Sequence, residues 1–166
     1  MDNNWISQSV ILSAANINVH SGISASISLR SDLLTLSQQA HNACVNPEDA
    51  GGLSHTERAA ISSRMCTLNH EIQLGNYYAD LIPDSAEEKK IIDTNYRGHG
   101  HHRLEAVLRH VDLVTTSPKD ASAADIRALE ESGISTEDMV RLSELIAFVN
   151  YEIRVVKGIR LMDNVL

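Results

Sequence analysis

The residues with the most evident chemical capacity lie in two short stretches of the chain. Glu71 and Tyr78 are seven residues apart, about two helical turns, so a carboxylate and a phenol share one helix face with His70 beside the carboxylate. Such a set suits acid–base chemistry. The same residues also have an ordinary structural use. A Glu at a helix start answers the helix dipole, and Tyr77 and Tyr78 suit the edge of a core with the hydroxyl at water. In the run GHGHH, His99, His101 and His102 fall within four residues. Only His99 and His102 have a spacing by which one helical turn offers two imidazoles to a metal, and no carboxylate follows at a familiar offset. A solvated turn ahead of a helix is the favoured reading, and no metal or other cofactor is expected.

The two cysteines, Cys44 and Cys66, show neither a metal-ligand spacing nor a Cys-x-x-Cys, which points to a reducing cytoplasm. Asn150 interrupts an apolar stripe, where a buried amide ordinarily ties helices together. Arg154, one turn later, has Glu152, Glu144 or an acid on a neighbouring helix as partners. Hydrogen bonding to a substrate is the alternative use of both.

The elements that must position these groups are all helical. With 166 residues, 43% of them hydrophobic, the chain suits one compact domain, and no stretch alternates with period two in a way that needs a sheet. Residues 1–30 are expected to form an irregular or loosely packed segment, since residues 7–31 are Ser-rich and nearly uncharged; residues 31–166 are expected to form the helical domain. Leu33, Leu34, Leu36 and Ala40 give a first helix that stops before Pro47. Ser54 and Glu57 have capping-box spacing for a second, in which Ala60, Ile61, Met65 and Leu68 form one inward face. Leu74, Tyr77, Tyr78 and Leu81 continue such a face as far as Pro83. AEEKKIID predicts a solvent-facing helix with Ile91 and Ile92 turned to the core. Further helices follow from Leu104 to Val114, from Ser122 to Glu131 with Gly133 closing it, and from the Ser135 cap along Leu142, Ile146, Val149, Ile153 and Val156.

The net charge is −8 and the longest basic cluster is Lys89-Lys90, which argues against nucleic acid and an anionic membrane surface as partners. No run approaches the roughly 20 apolar residues of a spanning helix. Asp2, in place of a basic start, and Asn16 and Asn18, within the apolar run Val10 to Val19, count against a signal peptide.

The segment LSHTERAAISSRMCTLNHEIQLGNYY resembles the core of the carboxymuconolactone decarboxylase and alkylhydroperoxidase D-like superfamily, with Leu53, Ser54, Glu57, Arg58, Leu68 and Asn69 on scaffold positions. LIAFVNYEIRVVKGIRLM is similar to the closing helix of one subgroup, in which an Asn is followed four residues later by an Arg, here Asn150 and Arg154. HHRLEAVLRHVDLVTTSPKDASAADIRAL is similar too, so the likeness spans roughly residues 30 to 164. It implies a compact bundle of six to seven helices. It also implies association into dimers, trimers or hexamers, and a cysteine-bearing alkylhydroperoxidase-like protein as a further partner.

The departures from that family bear on function. The two redox cysteines fall on Glu71 and Leu74, the assisting glutamate on Ala59, the conserved-position histidine on Tyr78 and the relay histidine on Gln73. Disulfide-based peroxidase chemistry needs an activated thiolate with a thiol partner, and both are missing. Three functions stay open. The first is a non-redox binding or accessory subunit; the second is a cofactor-free lyase or isomerase-type enzyme using Glu71, Tyr78 or a histidine such as His70. The third is a peroxidase cycling one thiol, Cys66, through a sulfenate.

Overall fold

The computed structural model describes residues 8–165. The first seven residues of the N-terminal expectation, Asp2 among them, lie outside this range, as does Leu166. In chain order the α-helices are α1 (Val10–Ala15), α2 (Ser24–Ser28), α3 (Ser31–Val45), α4 (His55–Leu68), α5 (Ile72–Asp80), α6 (His102–Thr116), α7 (Ala123–Glu131) and α8 (Thr136–Asp163). Two 3-10 segments, Glu87–Ile92 and Pro118–Asp120, flank α6. Among the described residues there is no strand, so the class is all-α.

Helix α4 is the hub. It packs against α5, the first 3-10 segment, α8 and α6, and every residue from Glu57 to Cys66 is buried. The sequence pattern shows one inward apolar face; the structure buries the polar face as well, because its two arginines carry the surrounding loops. Arg58 donates to the carbonyls of Leu53 (2.9 Å), Cys44 (2.8 Å) and Ala50 (3.0 Å). Arg64 donates to both Asp112 oxygens, at 2.6 and 2.7 Å, and to the carbonyls of Ile91, Asp93 and Thr94. Buried guanidinium groups are tolerated only when their donors are matched in this way. The charged stretch is accordingly a 3-10 segment held from inside by Arg64, with Ile91 buried and Ile92 half-buried.

The N-terminal stretch departs from its expected irregularity. Ser9 caps α1, its Oγ accepting the Leu12 amide at 3.3 Å, and Asn16 ends it in the left-handed conformation at φ 62°. Five of its six residues are buried against α8, α5 and α3. The segment VILSAA is apolar on nearly every side and has no water-facing stripe. A periodicity test reads such a segment as featureless, but it is a helix suited to the interior.

Serine caps start α4, α7 and α8. Ser54 and Ser135 each accept the amide three residues on, at 3.1 Å. At Ser54 the reciprocal half of the capping box is absent, since the Glu57 carboxylate instead takes Arg103 at 2.8 and 3.1 Å. Ser122 and Asp125 do form the full box. Gly133 follows α7 with φ 89°, a conformation that disfavours a side chain.

Candidate functional site

The structure brings Glu71, Tyr78 and Cys66 into one region of the interior and leaves His70 outside it. Glu71 is the N-cap residue of α5. Its carboxylate is buried and receives both Nη groups of Arg160, at 2.9 and 3.0 Å. Arg160 also donates to the Ala14 carbonyl at 2.7 Å, so the pair fastens the α5 start to α8 and α1. Hydrogen bonding from Glu71 raises the Arg160 pKa further. Cys66 is fully buried, with its Cβ 3.2 Å from the position a Cβ on Gly75 would occupy. Burial, with Glu152 and Glu71 nearby, pushes its thiol far up, so the thiolate needed for peroxide attack is disfavoured. His70 is exposed, at φ 55° in the turn between α4 and α5.

Tyr78 leads to a group that sequence reasoning assigned elsewhere. Its hydroxyl donates to Oε2 of Glu152, and both side chains are fully buried. The other oxygen, Oε1, meets Nδ1 of His41 at 3.0 Å. Nε2 of His41 lies 3.3 Å from the Tyr77 hydroxyl. The imidazole stacks on Tyr78, with centroids 5.8 Å apart and planes inclined by 14°. With the carboxylate on Nδ1, that nitrogen carries the proton and Nε2 is left to accept from Tyr77. Four side chains from α3, α5 and α8 thus form one chain of hydrogen bonds, Tyr77, His41, Glu152 and Tyr78. Burial first, and then the Glu152 charge, raise the phenol pKa of Tyr77 and, well above the usual value, that of Tyr78, so both phenols stay protonated at neutral pH.

This chain reaches solvent at one end. His41 and Tyr77 line a cleft of about 280 Å³, whose other walls are Asn42, Val45 and Asn46 from α3 and the loop after it, His55, Thr56 and Ala59 from α4, and Leu81. The carboxylate behind the histidine comes from α8. A larger cleft of about 410 Å³, with Glu57, Glu87, Glu88, His101 and Arg103 in its wall, holds an exposed acidic edge and the Glu57–Arg103 pair.

The other residues singled out from the sequence lie apart from this cleft. Asn150 is buried and its amide donates to the Ile146 carbonyl at 3.1 Å; Arg154 is exposed and donates to the Asn150 carbonyl at 3.2 Å. Both bonds stay within α8, and Glu152 faces the interior and pairs with His41. His99 stacks on Tyr96 at 4.9 Å ahead of α6, and His102 lies 3.8 Å from Glu105 in the first turn of that helix. Among the described residues no group of three or more His, Cys, Asp and Glu side chains is placed to hold a metal ion.

His41 and Glu152 carried a signal in the sequence. Leu34, His41 and Val45 share the buried face of α3, and Glu152 stands in step with Val149 and Val156 on the buried face of α8. A titratable group in phase with a core stripe must find a partner inside, and these two find each other. The chain matches no protein-family model, no curated protein and no solved structure.

Proposed function

We propose that the chain is a non-redox member of the carboxymuconolactone decarboxylase and alkylhydroperoxidase D-like superfamily, acting in the cytoplasm as a binding or accessory subunit that assembles with further copies of itself. The observation that carries this reading is an apolar groove of about 360 Å³ where α2, α3 and α8 meet. Its walls include Ile27, Leu33, Leu34, Tyr151, Val155 and Met162. Leu33, Tyr151 and Met162 are 44%, 42% and 47% exposed, so large apolar side chains gather in one open trough. Contiguous apolar surface of this kind marks a partner site more often than isolated exposed residues do. Closed symmetric assembly is the commonest way for a chain to cover such a face.

The enclosed, proton-bound Cys66 thiol weighs against a single-thiol peroxidase. The commitment of Glu71 to Arg160 and of Tyr78 to Glu152 weighs against those two side chains as substrate-facing catalysts. No helix among the described residues is long and apolar enough to cross a membrane.

Sedimentation velocity tests the assembly. The native chain is expected to run as a dimer, trimer or hexamer, and Leu33→Glu, which places a charge in the trough, is expected to run as a monomer with its helix content unchanged. A native chain that stays monomeric over the whole accessible concentration range sinks the self-association reading. The groove would then be left to a different partner, of which a cysteine-bearing alkylhydroperoxidase-like protein is the first to mix in.

A further inference from the structure

We propose that the cleft between α3, α4 and α5 is an acid–base site for a small uncharged carbon acid, a carbonyl compound with a removable α-hydrogen, in which Tyr77 touches the ligand, His41 takes up the proton and Glu152 positions the imidazole. This chemistry goes beyond the assembly reading and does not depend on it. The first support is continuity: Tyr77 Oη to His41 Nε2 spans 3.3 Å and His41 Nδ1 to Glu152 Oε1 spans 3.0 Å, so a proton has an unbroken route inward from the cleft. The second is containment. Glu152 is buried outside the cleft wall and His41 is 3% exposed within it, while Tyr77 is half-buried, so the phenol is the group of the chain most open to a ligand.

The cleft wall fixes the class of ligand. It contains no Asp, Glu, Lys or Arg; of its two histidines His41 is tied to Glu152 and Tyr77, and His55 Nε2 donates to the Pro47 carbonyl at 2.8 Å, so a charged ligand would lose water without gaining a dedicated counter-charge. The side chains of Asn42, Asn46 and Thr56 offer donors and acceptors to a neutral carbonyl group.

In the step itself, the ligand's α-C–H bond breaks and its electron pair moves into the C–C bond toward the carbonyl, giving an enolate. The departing proton goes to Tyr77 Oη as the Tyr77 proton passes to His41 Nε2. The imidazolium then stands beside the Glu152 carboxylate, which holds its orientation and balances its charge, as in carboxylate–histidine pairs generally. Where the ligand is a β,γ-unsaturated carbonyl compound the enolate is conjugated with the C=C bond, and return of the proton to the γ-carbon completes an isomerisation with no cofactor and no net change in protons or electrons. Tyr77 is the catalytic residue; Glu152, with Tyr78 donating to its second oxygen, is a positioning residue.

A nitrobenzisoxazole tests this directly, because it is an uncharged carbon acid. When a base removes its ring C–H proton, the electron pair forms a nitrile, the N–O bond breaks and a coloured phenolate is released. The intact chain is expected to release phenolate at roughly ten times the rate of an equal concentration of free imidazole, or faster, with Tyr77→Phe and His41→Gln each losing roughly tenfold or more. Glu152→Gln is expected to lower kcat roughly tenfold with KM unchanged, because the imidazole loses its orientation while the cleft wall keeps its shape; a merely structural role would move KM as well. If His41→Gln fails to fold, Tyr77→Phe carries the test alone, since it removes one half-buried hydroxyl and keeps the ring. A native rate no greater than that of imidazole, or a rate unaltered by Tyr77→Phe, overturns the proposal.

Discussion

Replacing Arg160 by Met separates a structural Glu71 from a chemical one. The substitution keeps most of the aliphatic stem and removes the guanidinium, leaving a carboxylate that is 1% exposed without the two donors that now reach it at 2.9 and 3.0 Å. The Ala14 carbonyl loses its donor in the same step. Removing one partner of a fully buried pair costs about 3–5 kcal/mol, and leaving a buried polar group unmatched costs about 1–3 kcal/mol. The Arg160 side chain is 35% exposed, so water can reach the vacated position, and the expected loss is about 2–4 kcal/mol. For a chain of this size that corresponds to a fall in Tm of roughly 5–15 °C. Thermal and urea unfolding followed by circular dichroism read it. The double variant Glu71→Gln with Arg160→Met removes the stranded charge and should recover a good part of the loss. Additive effects of the two single changes, or a loss below about 1 kcal/mol for Arg160→Met, would falsify the strut reading of Glu71.

The buried thiol gives a second test. Cys66 should resist a maleimide in the native chain at neutral pH and react only as the chain unfolds, with half-buried Cys44 labelled first. Labelling of Cys66 at a rate unaffected by a low concentration of urea refutes its enclosure. His110 gives a third. It is buried, its Nδ1 lacks a partner among the described residues, and burial lowers its pKa below the ordinary histidine value. The unfolded chain therefore binds this proton more readily than the folded one. The stability it leaves intact is present above the unfolded pKa of about 6.5 and declines as pH falls from there toward the lower folded value. In urea titrations across this window, His110→Gln should flatten that decline; an unchanged slope refutes the assignment.

Much of the helical framework was legible because it depends on short-range signals. Ser54, Ser122 and Ser135 mark helix starts, Pro47, Pro83 and Pro118 lie beyond helix ends, and the long stripe from Leu142 to Val156 faces inward as its spacing requires. Helix α1 and the polar face of α4 carry no such signal. Both are buried all round, and a periodicity argument needs a wet face to contrast with a dry one. The 3-10 form of Glu87–Ile92 was equally out of reach, since its end is fixed by Arg64, 27 to 30 residues earlier, which takes the carbonyls of Ile91 and of Asp93 and Thr94 just beyond it.

The candidate site divides along the same line. That Glu71, Tyr78 and Cys66 belong to neighbouring turns followed from their positions in the chain, and so did the absence of a cysteine pair. Which acid meets which base did not follow, because those partners are 111 residues apart for His41 and Glu152 and 89 for Glu71 and Arg160. The sequence by itself determined the bounds of the Ser-capped and Pro-bounded helices after residue 30 and the lack of a Cys-x-x-Cys, because those depend on neighbours a few residues away. Only the tertiary structure decided that Arg160 takes Glu71 and that Glu152 stands behind His41. Helix packing brings those side chains within hydrogen-bond distance, and a buried charge must pair with whatever group the packing places there.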